Sequence, residues 1–145
     1  MENKLKKILP LFIVLLTIGS FKSFAGGDTL TSLCAKHFQN QFISDGQQYQ
    51  ALLFNNSETA EFSTTLFSGT TYRFAACSGL TDGNLTFWVY DTKRNLLFTN
   101  KDFKNAPYWD FLINNTVDCI IEAKLDSKST GSGRAIILIG FKQPE

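Results

Sequence analysis

The sequence predicts a mainly β protein, an antiparallel β-sandwich of about eight strands with one N-terminal helix. Three observations predict it. Apolar and polar residues alternate with period two through most of the chain after residue 48. Polar, glycine-bearing turns interrupt that alternation at short intervals. A helical period occurs once, in residues 28–43, and no second helical pattern separates the strands.

The first 25 residues read as a leader and not as part of the fold. Lys4, Lys6 and Lys7 make a basic opening, ILPLFIVLLTIG is an apolar core, and Ser23 and Ala25 are the small residues a signal peptidase reads. Cleavage after Ala25 is expected, leaving one domain, 26–145. The apolar run is shorter than the roughly 20 residues of a membrane span, so no span remains after cleavage, and the destination is the periplasm or the outside of the cell. The leader carries four lysines and one glutamate, so its removal takes the formal charge from +1 to −2. That leaves no basic excess for nucleic acid.

DTLTSLCAKHFQNQFI, 28–43, is the helix. Asp28 or Thr29 is placed to cap it, and Leu30, Leu33, Cys34, His37, Phe38 and Phe42 fall on one face of a 3.6-residue period. SDG at 44–46 is read as its end. The strands follow at 49–54, 60–67, 71–77, 85–91, 95–100, 108–113, 117–125 and 134–142. Phe62 and Leu66 are in phase, as are Tyr72 with Phe74, Leu85 with Phe87 and Val89, Trp109 with Phe111, and Cys119 with Ile121 and Ala123. These are the inward faces, and the residues between them face water. The last strand differs. AIILIGF is apolar on both faces, which places it centrally with its outer face covered, and the helix is the available cover.

From Gly69 onward the residues also carry a family likeness. Gly69, Thr70, Tyr72 and Phe74, then Leu85, Phe87, Val89, Tyr90 and Asp91 before a turn, resemble the bacterial pre-peptidase C-terminal type of secreted domain over about 80 residues. The resemblance implies a jelly-roll-like sandwich and a non-catalytic accessory or binding role, sometimes with calcium. Such domains are usually appended to secreted enzymes, whereas here the sandwich follows the leader directly. The chain is similar, more loosely, to small secreted proteins of unknown function from Bacteroidetes-type bacteria.

Candidate chemistry is sparse. His37, the one histidine, lies on the apolar helix face, and no nucleophile elbow or phosphate loop accompanies it. Cys34, Cys77 and Cys119 lack metal or redox spacing, and they read either as one disulfide plus a buried thiol or as three buried thiols. Asp82, Asn84 and Asp91 sit in or beside loops and offer oxygen ligands to calcium. Trp88 and Tyr90 share one strand face and, with Tyr108, make a stacking platform for a sugar if that face is open. Asp110, Asp118 and Glu122 point away from the buried faces and are the carboxylates a hydrolase would use if they met on one surface. The resulting expectation is a non-catalytic binding or structural protein whose partner is a glycan or another envelope component. A carbohydrate-binding module and a small carboxylate-dependent hydrolase are the alternatives.

Overall fold

The computed structural model describes residues 29–128 and 131–142; the leader and Asp28 lie outside them. Among the described residues, a helix Thr29–Ala35 (α1) and a 3₁₀ turn Lys36–Phe38 come first. Eight strands follow: Phe42–Leu53 (β1), Ala60–Leu66 (β2), Thr70–Cys77 (β3), Leu85–Asp91 (β4), Leu96–Thr99 (β5), Tyr108–Ile113 (β6), Val117–Leu125 (β7) and Gly133–Lys142 (β8). A second 3₁₀ turn, Asn100–Phe103, lies between β5 and β6. Among the described residues, no helix is long and apolar enough to cross a membrane.

The strands form two antiparallel sheets of four, ordered β1-β8-β3-β6 and β2-β7-β4-β5. The expected inward faces meet between them. Phe74, Leu85, Phe87, Ile121, Ala123, Ile137 and Ile139 are essentially inaccessible to solvent, with Trp109 and Phe111 packed alongside. Each fully buried Phe, Leu or Ile of this set stabilises the fold by roughly 1.5–3 kcal/mol.

The helix is shorter than its period predicts. Gln39 adopts φ 53° and turns the chain, so Phe42 and Ile43 leave the helix and pair with Lys142 and Phe141 in a strand. SDG does not end a helix. It forms a bulge inside β1, between Ser44 and Gln48, where Gly46 has φ 83° and Asp45 Oδ1 accepts the Gln47 N–H at 2.9 Å. Phe42 still joins Cys34 and Phe38, because the strand that carries it runs beside the helix. β5 also stops short, at Thr99, because Asn100 begins the second 3₁₀ turn.

β8 is central and is buried on both faces, as its composition requires. Its outer residues Ile136 and Leu138 pack with Ala75 and Cys77 of β3 against Cys34, Phe38 and Phe42. The contact is close at Gly140, where a Cβ would stand 3.0 Å from the Ile43 carbonyl and 3.1 Å from the Phe38 ring. A disulfide joins Cys34 of α1 to Cys77 at the end of β3. Arg73, buried on the same face, is the second tie. Its guanidinium lies between the Phe42 and Tyr108 rings, 4.2 and 4.4 Å from their centroids. Nε and Nη2 donate to the two oxygens of Asp110 at 2.6 and 2.8 Å, and Nη1 donates to the His37 carbonyl at 2.8 Å. Cys119 remains a free thiol in the main core, and burial pushes its pKa up to about 11.

Two measurements check this arrangement. In the Cys34→Ala/Cys77→Ala variant, urea denaturation is expected to show a loss of about 4 kcal/mol, the chain-entropy value for a loop of 43 residues. A maleimide at pH 8 is expected to leave the folded protein unmodified and to add once, at Cys119, after denaturation without reductant.

Candidate functional site

Strand direction gathers four connections at one end of the sandwich: 54–59, 78–84, 100–107 and the described start of the next, 126–128. They bound an open cleft of about 990 Å³ that runs onto the outer face of the β2-β7-β4-β5 sheet at Thr86, Trp88 and Lys124.

Two asparagines hold these connections in shape. Asn100 is completely buried. Its Nδ2 donates to the Leu85 and Ala106 carbonyls at 3.0 and 3.1 Å, and its Oδ1 accepts the Phe87 N–H at 2.8 Å. Its own carbonyl accepts the Lys104 and Asn105 N–H groups. Both of those residues are left-handed, at φ 56° and 53°, a conformation that surrounding bonds must fix in non-glycine residues. Asn105 supplies further bonds. Its Nδ2 donates to Asp126 Oδ1 at 2.9 Å and to the Gly83 carbonyl at 3.3 Å, and its Oδ1 accepts the Thr86 hydroxyl at 3.0 Å. One side chain thus ties three of the four connections to β4.

The acidic groups of the cleft are engaged with the protein. Asp126 accepts the Lys128 N–H at 3.0 Å, and this bond, followed by that from Asn105, holds its carboxyl below the ordinary value. Asp82 bonds His37 Nε2 at 3.0 Å, which links the cleft to the N-terminal cover. Four lysines line the same cleft, Lys101, Lys104, Lys124 and Lys128, and none makes an ion pair among the described residues.

The aromatic residues expected as one platform are divided between two faces. Trp88 and Tyr90 stand half-buried on the outside of one sheet, and only Trp88 reaches the cleft. Tyr90 lies opposite Ile120 and Leu96, and burial, then Glu122, raises its pKa. Tyr108 is on the other sheet, under His37 at 5.5 Å and beside Arg73. The three therefore form no common surface.

The carboxylates divide in the same way. Asp110 is held by Arg73 on one sheet, while Asp118 and Glu122 lie on the other, in β7. Asp118 accepts the Thr65 hydroxyl at 2.6 Å, and Glu122 shares Arg94 with its cross-strand neighbour Glu61. Four residues of strand put Asp118 and Glu122 about 13 Å apart along β7, beyond the about 5–9.5 Å of a glycosidase pair. The expectation that these acids meet on one surface is corrected.

The calcium ligand set is also split. Asp82 and Asn84 precede β4, whereas Asp91 ends it, about 20 Å away along the strand. Asn84 Nδ2 donates to the Thr81 carbonyl and hydroxyl. Asp91 accepts the Asn95 side chain and the Asn95 and Lys93 N–H groups, which hold its carboxyl below the ordinary value. Among the described residues, no three His, Cys, Asp or Glu side chains are placed to share a metal ion.

Of the residues singled out from sequence, Asp82, Asn84 and Trp88 line the cleft, whereas Asn100, Asn105 and the four lysines carry no signal of their own in the sequence. KDFKNAP reads as a polar link and DSKSTGSG as a flexible loop, and Lys101 and Lys124 belong to separate segments. The one local signal was the density of asparagine and lysine between β5 and β6.

No protein-family model matches this chain, and no curated protein matches its sequence. Among solved structures, it is similar to that of Aeromonas hydrophila PliG, a periplasmic lysozyme inhibitor of g-type lysozyme. The two are 11% identical, with a TM-score of 0.50, over 69% of this chain and 91% of PliG, a likeness of fold.

Asn100→Ala leaves the Phe87 N–H and the Leu85 carbonyl buried without partners. A loss of about 3 kcal/mol in urea denaturation is expected, with faster amide exchange at Lys104 and Asn105.

Proposed function

We propose that this protein is a non-catalytic binding protein of the space outside the cytoplasmic membrane, and that the four-loop end is its binding end. One observation carries the proposal: four connections converge on a cleft whose shape is fixed by Asn100 and Asn105 and whose lysines have no ion-pair partner among the described residues. A preorganised, wet and asymmetrically charged end is what recognition uses. The Cys34–Cys77 disulfide supports an oxidising compartment, in keeping with the leader read at 1–25. The engagement of Asp110, Asp118 and Glu122 by Arg73, Thr65 and Arg94 favours binding over hydrolysis. A second reading, sugar recognition, is favoured by Trp88, whose indole lines the cleft.

The fold neighbour is an inhibitor of a g-type lysozyme, so such a lysozyme is the first protein partner to test. Purified protein is expected to cleave no cell wall by itself and to slow wall clearance by a g-type lysozyme at least tenfold at micromolar concentration. The Lys101→Glu/Lys104→Glu variant is expected to lose most of that effect while its melting temperature is unchanged. Wall cleavage by the protein alone, or inhibition indifferent to the two substitutions, would overturn the reading.

A further inference from the structure

Resting on the four-loop end as the binding end, we propose that its cleft takes an acidic glycan, a sugar chain bearing carboxylates. The charge of the cleft points to an anion. Lys101 and Lys104 come from the 100–107 connection, Lys124 from the end of β7, and Lys128 from the connection after it. All four border one cleft without an ion-pair partner among the described residues. The two carboxylates nearby are already committed, Asp82 to His37 and Asp126 to Asn105 and the Lys128 N–H. Those bonds leave the charge of both carboxylates in place, so the lining sets four cations against two anions, and an incoming anion meets a formal charge of +2.

The rest of the lining points to sugar. Trp88 offers an indole and Asn56 an amide to the same cleft, while the amides of Asn84 and Asn105 are engaged within the protein. An aromatic face with amide donors and acceptors suits a ring that has apolar C–H faces and hydroxyls at its rim. An acidic polypeptide meets the charge but brings no sugar ring to stack on Trp88. Here the large apolar lining is Trp88 and Leu125, and Leu125 is buried in the core. The volume, about 990 Å³, is at the upper end for a small-molecule site and the cleft is open, which suits several linked sugars better than one.

The test is a titration of the purified protein, followed by tryptophan fluorescence, with three probes of matched length: oligogalacturonate, its methyl ester and poly-L-glutamate. The ester keeps the sugar and removes the charge, and the polypeptide keeps the charge and removes the sugar. Binding of the oligogalacturonate is expected to be at least tenfold tighter than that of either control. It is expected to weaken about tenfold between 50 and 500 mM salt, as screening of exposed charges requires. Lys101→Gln/Lys124→Gln and Trp88→Ala are each expected to weaken it at least tenfold. Lys93→Gln, at the opposite end of β4, is expected to leave it unchanged.

Equal binding of acid and ester overturns the anion requirement, and equal binding of poly-L-glutamate overturns the glycan class. Absence of binding to oligogalacturonate overturns the inference whole. Thermal melts of each variant separate lost binding from lost folding. The lysozyme assay separates this inference from the reading beneath it. If Lys101→Glu/Lys104→Glu still relieves lysozyme inhibition while no glycan binds, the binding end stands and the acidic glycan falls.

Discussion

β8 cannot be left open to water on either side. Ala135, Ile137 and Ile139 face the second sheet, and Ile136 and Leu138 face the other way, all buried. A two-sheet sandwich covers only the first set. The second needs a lid, and the available material is a seven-residue helix, a 3₁₀ turn and the start of β1. A helix so short is unstable by itself. It persists because Cys34 is bonded to Cys77 and because Arg73 reaches up to the His37 carbonyl. Arg73 is tolerable under that lid because Asp110 meets it with both oxygens and two rings flank it. The order β1-β8-β3-β6 follows from the same need, since it keeps both doubly buried strands, β8 and β3, away from the sheet edges.

The eight strands were legible because their alternation is local, and the double burial of β8 was legible because AIILIGF does not alternate. The helix was read too long for a physical reason. Phe42 stands twelve residues after Leu30, in phase with a helix, yet a neighbouring strand buries it in the same cluster. Periodicity reports which residues share a face and not how the backbone brings them there. The candidate sites were less legible. Alternation marks Tyr90 and Tyr108 alike as outward, but a sandwich has two outsides, and strand order decides which one a residue occupies. The acids Asp110 and Glu122 were separated by the same ambiguity. Lys101 and Lys124 were overlooked because their meeting depends on β4 pairing with both β5 and β7, a fact held in no single window of sequence.

The two outer surfaces carry different burdens. The outside of the β1-β8-β3-β6 sheet is structural, with a lid, a disulfide and a buried cation. The outside of the other sheet is wet, and its Glu61–Arg94–Glu122 cluster lies in the exposed range where such pairs contribute little. His37 joins the two regimes, because its ring lies against Tyr108 and its Nε2 meets Asp82 at the mouth of the cleft.

The division of labour between Asn105 and its neighbours has an evolutionary consequence. The path of the 100–107 connection is set by Asn100, Asn105 and Asp126. Lys101 and Lys104 display their side chains from that path without making side-chain hydrogen bonds or ion pairs to other described residues. Substitutions at such exposed positions are normally worth within about 0.5 kcal/mol of stability. The charge of this end can therefore drift, neutralise or change sign while the scaffold stays folded. A lineage can replace what the cleft prefers without rebuilding the sandwich beneath it.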